Sequence, residues 1–241
     1  MTLPRIFINS KLKPKQEITL DEDASNYILQ SLRLKINDGL MIFNDSAGEF
    51  RAVLTAINKH RATIVVEEFI QRNNESPLQI HLGQGISRGE KMDFTIQKAV
   101  ELGVNTITPL FTEHCGVKLE SERLENRLRH WQGVAISAAG QSGRCYAPKI
   151  LPAQILNNWL VTATGLCLVL DPYATNKFAD IKEQPHCVTL LVGPEGGLNE
   201  KEIDSAKQKN FLPVKFGPRI LRTETAALTA ISILQSKWGD F

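Results

Sequence analysis

Near its C-terminus the chain reads LVGPEGG at residues 191–197 and FGPRILRTETA at residues 216–226. The first segment ends a short apolar run, and the second leads into the last stretch with helical spacing of apolar residues. Each segment places Gly, Pro and ionisable side chains where a strand is predicted to pass into a helix. In an open α/β sheet, ligands bind beyond the carboxyl ends of the strands. We therefore predict that these two segments form a ligand site.

The composition is that of an ordinary globular protein, with 241 residues of which 42% are hydrophobic and 22% charged. No apolar stretch approaches the roughly 20 residues that a membrane span requires, and the N-terminal residues lack the apolar core of a signal peptide. We therefore predict a cytoplasmic protein with no membrane partner. The net charge of +2 means that any surface for nucleic acid is local rather than global.

The chain changes character at residues 71–77, a segment with no apolar residue that ends in Pro and is typical of a linker. Before it, short strand patterns joined by turns predict a small antiparallel β-barrel over residues 1–72. After it, apolar strands alternate with amphipathic helices over residues 73–241, which predicts an α/β domain with a parallel sheet. One helix is expected over residues 24–33 of the first domain.

Several helix ends carry capping signals. The spacing of Ser87 and Glu90 is that of a capping box that opens a helix, and Gly103 is its natural end. Asn199 and Glu202 are expected to cap a second helix. Thr223 is expected to cap the last helix, whose apolar face is compatible with dimer formation and consists of Ala226, Ala227, Ala230, Ile231 and Leu234.

The segment at 193–197 allows two interpretations. Its glycines let a ligand approach the backbone closely, so that backbone N–H groups could hold the adenine, ribose or carboxylate of a cofactor. The alternative is a strand-to-helix turn without a ligand. No Lys-Ser/Thr pair follows and the G-x-G-x-x-G spacing is absent, so neither a P-loop nor a dinucleotide fingerprint is present. Likewise, Thr223 and Glu224 are explained either by ligand binding or by helix capping with Arg222 as an ion-pair partner.

No metal or nucleophile site is expected. Cys115, Cys145, Cys167 and Cys187 form no C-x-x-C pair, so they are predicted to be small buried residues. His114 and His186 each precede a cysteine, but no third ligand has suitable spacing, so a structural role is predicted for both pairs.

Together these segments resemble the ribosomal RNA small subunit methyltransferase E family of SPOUT-class enzymes. The resemblance covers nearly the whole chain and rests on RIF at 5–7, SLRLK at 31–35, KMD at 91–93, QKAVELGV at 97–104, AAGQSGR at 138–144, GPEGG at 193–197 and ILRTETA at 220–226. It implies a PUA-like β-barrel that binds RNA, followed by a SPOUT α/β methyltransferase domain with a C-terminal trefoil knot.

The resemblance also implies an activity and its partners. The enzyme would be a homodimer that uses S-adenosyl-L-methionine to methylate N3 of a specific uridine, uracil 1498, in the 16S ribosomal RNA of the small subunit. The cofactor site would comprise Leu170, Val192, Gly193, Pro194, Glu195, Gly196, Gly197, Gly217, Ile220, Leu221, Arg222, Thr223, Thr225 and Ala226.

The catalytic hypothesis concerns Arg222 and Glu224. Methyl transfer from a sulfonium is an in-line displacement that needs no metal, and the imide nitrogen becomes nucleophilic as its proton leaves. Arg222 would stabilise the negative charge that spreads to the carbonyl oxygens, and Glu224 would either orient Arg222 or accept the proton. Glu195 is a second candidate for which a role in shaping the loop is favoured.

The N3 edge is hidden in a base pair, so the target uridine has to be unpaired or flipped out. Basic residues at loop or helix ends are the candidates for phosphate contact: Arg33, Arg88, Lys91 and Arg144. Arg123 and Arg127 lie off the apolar stripe of their helix and are predicted to face solvent.

The sequence leaves two other functions open. The first is a non-catalytic ribosome-binding factor with the same fold and a dead site, against which the intact Arg222, Glu224 and glycine loop argue. The second is a nucleotide-dependent transferase or kinase, for which the sequence offers neither a P-loop nor a suitable pair of aspartates.

Overall fold

The computed structural model describes residues 3–46, 48–116, 121–182 and 184–241. Met1 and Thr2, which are part of the signal-peptide argument, lie outside this part. The chain forms two compact units. The first comprises the residues up to Glu75 together with Ala139–Ala147, and the second comprises Ser76–Ala138 and Pro148–Phe241. The first unit is therefore discontinuous in sequence.

The first unit contains one five-stranded sheet in the order β1-β3-β4-β5-β2. Its strands are β1 (Arg5–Phe7), β2 (Glu17–Thr19), β3 (Gly39–Phe43), β4 (Gly48–Asn58) and β5 (Arg61–Gln71). The predicted antiparallel pairing is confirmed for β2 to β5, whereas β1 pairs parallel with β3. Among the described residues, β1 and β2 end the strand order, so this pairing forms an open sheet.

The helical segment of the first unit begins earlier than the sequence pattern predicts. Helix α1 (Glu22–Asn26) starts after Asp21, whose side chain accepts a hydrogen bond from the Ala24 N–H at 2.8 Å. It continues directly into a π-helical turn at Tyr27–Ser31. Apolar side chains from this segment and the sheet share one core, which includes Ile6, Leu20, Ile28, Ile42, Leu54 and Ile64.

Residues 71–77, predicted to be a linker, are held in place by several interactions. Gln71 is the last residue of β5. Arg72 pairs with buried Glu49 at 3.1 Å, and Glu75 pairs with Arg144. Ser76 is buried in the second unit. The polar composition of this segment thus reflects ion pairs and hydrogen bonds as well as solvent exposure.

The second unit contains a seven-stranded sheet in the order β12-β10-β11-β6-β7-β8, with β9 also pairing with β7. Its strands are β6 (Gln79–Gly85), β7 (Thr106–Phe111), β8 (Lys149–Ile150), β9 (Gln154–Ile155), β10 (Leu166–Leu170), β11 (Cys187–Val192) and β12 (Leu212–Val214). All of these pairs are parallel, which confirms the prediction from the strand–helix alternation. The helices are α2 (Glu90–Glu101), α3 (Ser121–Ser142), α4 (Leu156–Leu160), α5 (Glu200–Gln208) and α6 (Thr223–Trp238), with a 3₁₀ turn at Phe178–Asp180.

The start of α2 differs from the prediction. Its N-cap is Gly89, at φ +58°, and no side chain caps it. The expected capping box at Ser87 is therefore wrong. By contrast, the Asn199–Glu202 capping box of α5 is confirmed by both of its hydrogen bonds. Gly103, at φ +89°, follows the end of α2 as predicted.

Helix α6 uses its apolar face inside the second unit. Ala227, Ala230, Ile231 and Leu234 are fully buried, and the helix packs against α2 and β11. This packing accounts for the apolar face without a partner chain. Thr223 is the first helical residue rather than the cap, because Arg222 occupies the N-cap position without a side-chain hydrogen bond. In the described ranges, no helix has the length and apolar character of a membrane span.

Candidate functional site

A cavity of about 450 Å³ lies beside the carboxyl ends of three neighbouring strands of the second unit. Strand β10 pairs with both β11 and β12, so the segments that follow these strands emerge next to one another. The cavity is lined mainly by residues from the ranges 170–173, 192–198 and 214–226. This position is the edge of a parallel sheet at which ligands usually bind.

The loop after β11 is fixed to the rest of the unit by its own backbone oxygens. The Gly193 carbonyl accepts a hydrogen bond from Thr223 Oγ1 at 2.6 Å. Thr223 Oγ1 in turn accepts one from Nε2 of fully buried Gln84 at 2.9 Å. The Gly196 carbonyl accepts a hydrogen bond from His114 Nδ1 at 3.0 Å. The loop therefore has a defined conformation before any ligand binds.

Glu195 links this loop to the start of α2. Its Oε1 accepts the Arg88 N–H at 3.0 Å and lies 3.4 Å from Lys91 Nζ. Burial alone would raise the pKa of this carboxyl, but the hydrogen bonds from backbone N–H groups, including that of Arg88, and the charge of Lys91 outweigh it and lower the pKa. These contacts favour the loop-shaping role for Glu195 over the catalytic one. They also place its negative charge at the helix start.

Two glycines are required by close packing around the loop. A Cβ at Gly85, the last residue of β6, would lie 2.5 Å from the Pro194 nitrogen. A Cβ at Gly196 would lie 2.7 Å from the His114 Cβ. These separations are shorter than any ordinary carbon contact, so both positions exclude larger residues unless the loop moves.

The segment after β12 forms a different kind of wall. Residues 217–220 are exposed, and Gly217 has φ +69°. Within the described ranges, the side chains of residues 217–222 make no hydrogen bond or ion pair. The base of the segment is nevertheless anchored, because the Asp171 N–H donates to the Val214 carbonyl at 3.0 Å.

The structure brings together nearly all of the residues predicted for cofactor binding. All of them line the cavity except Thr225, which is exposed on α6. Arg222 lines the cavity, whereas Glu224 does not. The Glu224 Oε2 atom is buried and has no hydrogen-bond partner in the described structure. The ion pair between Arg222 and Glu224, which belongs to the helix-capping alternative, is not present among the described residues.

The four residues predicted for RNA binding are placed differently from one another. Lys91 lines the cavity, and exposed Arg88 precedes α2. Arg33 is exposed in the first unit. For Arg144 the expected exposure at a helix end is wrong, because its side chain is only 5% exposed and pairs with Glu75. A buried guanidinium already neutralised by a carboxylate does not present its charge to phosphate.

Several lining residues were missed by sequence reasoning. Asp171, Pro172 and Tyr173 follow β10, and Lys215 follows β12. The rule that located the segment at 193–197 applies equally to the end of β10, so the first three could have been found. Gln84 and His114 support the loop from more distant positions in the sequence. The signal for Gln84 in the sequence is that it is a polar residue near the end of an apolar strand.

The structure also places the four cysteines. Cys145 and Cys167 are buried as predicted, whereas Cys115 and Cys187 are only partly buried. In the part of the chain that the structure describes, no group of three or more His, Cys, Asp or Glu side chains is arranged to hold a metal ion.

Two protein families match this chain. The RNA methyltransferase domain family matches residues 74–235, which contain the sheet and the cavity. The RNA methyltransferase PUA domain family matches residues 20–67 of the first unit. The fold and the cavity thus define a protein of the RNA methyltransferase class.

Individual relatives narrow the class. The ribosomal RNA small subunit methyltransferase E of Buchnera aphidicola from Schizaphis graminum is 42% identical over 99% of this chain and 98% of its own length. The same-named protein of Neisseria gonorrhoeae, solved bound to S-adenosyl methionine, superposes with a TM-score of 0.92 at 38% identity over 99% of both chains. A Legionella pneumophila protein solved with the cofactor SAM gives 0.97 at 37% identity over the whole of both chains. This chain belongs to the ribosomal RNA small subunit methyltransferase E family.

Proposed function

We propose that the protein transfers a methyl group from S-adenosyl-L-methionine to N3 of uracil 1498 in 16S ribosomal RNA, acting in the cytoplasm on the small ribosomal subunit. The observation that carries the proposal is the cavity between the segments at 192–198 and 214–226, in a member of a family with relatives solved with this cofactor. The N3 position and the uridine follow from the family resemblance.

The cavity fits the cofactor in size and chemistry. Its volume of about 450 Å³ lies in the range of small-molecule sites. The residues that would hold the cofactor are the predicted ones that line the cavity, namely those at 192–197, 217, 220–223 and 226 together with Leu170. Glycines at 193, 196, 197 and 217 leave backbone groups accessible, and Leu170, Val192 and Ala226 offer apolar contact. When bound, the sulfonium supplies the methyl group that is transferred.

Arg222 is our candidate for the residue that stabilises the transition state. Arg222 lines the cavity, and its side chain has no ion-pair partner among the described residues. Its donors are therefore available to a carbonyl oxygen of the uracil that gains negative charge as the N3 proton leaves. An interaction that strengthens as the charge develops accelerates the reaction rather than only binding the substrate.

Glu224 is our candidate for the second catalytic residue, with two roles open. Its buried Oε2 has no hydrogen-bond partner in the described structure, and a buried carboxylate oxygen without a partner is costly. A donor supplied by the bound substrate, or by Arg222 once the substrate orders it, would satisfy this atom. The first case makes Glu224 the proton acceptor, and the second makes it a positioning residue.

RNA contact is proposed for three of the four predicted basic residues. Lys91 and Arg88 lie at the start of α2, where Lys91 reaches the cavity, and Arg33 belongs to the proposed RNA-binding domain over residues 1–72. Because the net charge of the chain is only +2, a positively charged surface for RNA has to be formed by a few such residues. Phosphate contacts of this kind make binding fall steeply with added salt.

The trefoil knot and the homodimer are also part of the proposal. Support for the knot comes from the path of the chain after β12. Strand β12 lies at the edge of the sheet and is separated from β11 by β10. The chain nevertheless returns from β12 to the loop after β11, where the Thr223 hydroxyl donates a hydrogen bond to the Gly193 carbonyl. Support for the homodimer comes from the family resemblance, and sedimentation equilibrium measures it directly.

The decisive experiment uses small subunits from a strain that lacks this protein. Purified wild-type protein and S-adenosyl-L-methionine are added, and digested 16S RNA is mapped by mass spectrometry. One methyl group on the target uridine is expected, and because it blocks the pairing edge it should also stop reverse transcription. Modification at another nucleotide would refute the proposed position. Little calorimetric heat on addition of the cofactor, together with no methylated product, would favour the non-catalytic ribosome-binding factor.

A further inference from the structure

The two most exposed large apolar side chains of the described structure both line the cavity. Tyr173 is 82% exposed and Ile220 is 72% exposed. Single exposed apolar residues are common on protein surfaces and need no explanation. Two of them on separate loops at one cavity do need an explanation, because most of the surface of both residues is open to water at the proposed ligand site.

The cavity therefore has two apolar zones. Val192, Val214 and Ile203 form an inner zone whose exposed fraction is at most 8%. Tyr173 and Ile220 form an outer zone that faces solvent. A small ligand enclosed by the walls contacts the inner zone, whereas a group that arrives from a large partner in solution meets the outer zone first.

Tyr173 is presented by a defined turn. Asp171 Oδ1 accepts the Tyr173 N–H at 2.9 Å, and the Asp171 carbonyl accepts the Ala174 N–H at 3.1 Å. The Asp171 N–H is bonded to the end of β12. The backbone that carries the ring is thus fixed to the sheet, so little backbone entropy is lost when the ring binds a partner.

We propose that Tyr173 is a substrate-positioning residue on which the extruded uracil stacks, with Ile220 contacting the nucleotide from the neighbouring loop. This inference rests on the proposed function, since it presupposes that a pyrimidine enters the cavity. Aromatic rings bind unpaired bases of RNA by stacking. Lys215 and Arg219, which also line the cavity, supply positive charge near the flanking phosphates.

The test separates binding of RNA from binding of cofactor. Tyr173→Ala should lower kcat/KM for the RNA by about 5- to 150-fold, which corresponds to a stacking contribution of about 1–3 kcal/mol. The affinity for S-adenosyl-L-methionine, measured by calorimetry, should be unchanged. Tyr173→Phe should retain activity because the ring is kept. Tyr146→Ala, an exposed tyrosine that does not line the cavity, is the matched control.

A direct measurement uses RNA with 5-iodouracil at the target position and wild-type protein. Long-wavelength ultraviolet light should crosslink this base to the peptide that contains Tyr173. Crosslinks confined to other peptides, unchanged kcat/KM in Tyr173→Ala, or a parallel loss of cofactor affinity would each overturn the inference. Wild-type protein that methylates no uridine would instead refute the proposed function, so the two failures are distinguishable.

Discussion

The loops after β11 and β12 face the same cavity but are built in opposite ways. Residues 193–197 are tied to Arg88 just before α2, to His114 and to Thr223 by hydrogen bonds from both backbone and side chains. Residues 217–222 are exposed except for partly buried Leu221, and their side chains have no hydrogen bond or ion pair among the described residues. We infer that the first loop forms a pre-organised wall, whereas the donors of the second are reserved for ligands.

This difference predicts a division between stability and turnover. Substitutions that disturb the fixed loop should lower the free energy of unfolding, since its contacts exist before ligands bind. Substitutions in the open loop should leave the fold unchanged and lower activity. Four experiments test this division, beginning with the largest expected effect.

The largest effect is expected from Arg222→Ala in the open loop. Loss of a donor that stabilises developing charge typically costs about 10²- to 10³-fold in kcat. The melting temperature should change little, because Arg222 has no described partner in the folded protein. Steady-state methyl transfer and calorimetry measure the two quantities. Arg123→Ala, on an exposed face of α3, is the control, and undiminished kcat in Arg222→Ala would remove its catalytic role.

The next effect concerns the packing beneath the fixed loop. Gly85→Ala should destabilise the protein by about 1–3 kcal/mol, because its Cβ would overlap the backbone of Pro194. Gly133→Ala provides the matched control, since a Cβ there meets nothing within 4 Å and lies on helix α3. Gly133→Ala should raise the free energy of unfolding by about 0.5–1 kcal/mol. Equal urea midpoints for the two variants would show that the loop is not held rigidly.

A third experiment removes one hydroxyl. Thr223→Val should cost about 1–3 kcal/mol of unfolding free energy, because the Gly193 carbonyl and buried Gln84 lose a shared partner. Thr223→Ser keeps the hydroxyl and should recover most of the loss. Thr225→Val, an exposed position two residues further along α6, should be near neutral. If Thr223→Val proved as stable as wild type, the hydrogen-bond account of the fixed loop would fail.

The smallest expected effect is the pH dependence of the stabilisation that Glu195 contributes. Its pKa is lowered in the folded protein, so its stabilisation is present above its ordinary pKa of 4.5 and is lost as the pH falls through the lower folded value. Glu195→Gln should therefore be less stable than wild type at neutral pH by about 0.2–1 kcal/mol. The difference should vanish in acid. Urea titrations at several pH values measure it, with exposed Glu125→Gln as the control, and a difference that grows in acid would contradict the assignment.

Much of the site follows from one rule about parallel sheets. The alternation of strands and helices predicts the sheet, and the carboxyl-edge rule then identifies the segments at 193–197 and 217–226. The same rule would have added Tyr173 had it been applied to β10. The strand order does not follow from spacing, because it depends on which apolar faces pack together after the helices form.

The remaining features depend on contacts between distant parts of the chain. The start of α2 is bonded by Glu195, 107 residues away, so local capping rules name the wrong residue. Arg144 pairs with Glu75, 69 residues earlier, which turns a predicted surface cation into a buried one. His114 gains its role only from its bond to Gly196. Burial and pairing of ionisable groups depend on tertiary structure, so the periodicity of the sequence does not predict them.

The discontinuity of the first unit has a consequence for biosynthesis. Arg5 is hydrogen-bonded to the carbonyls of Gly140 and Arg144 and paired with buried Glu49. A nascent chain that has emerged only as far as Glu75 lacks those carbonyls, so this charge network stays incomplete during translation. The N-terminal unit therefore reaches its final form only after residues 76–147 have left the ribosome exit tunnel, and truncation at Glu75 should yield a less cooperative fold.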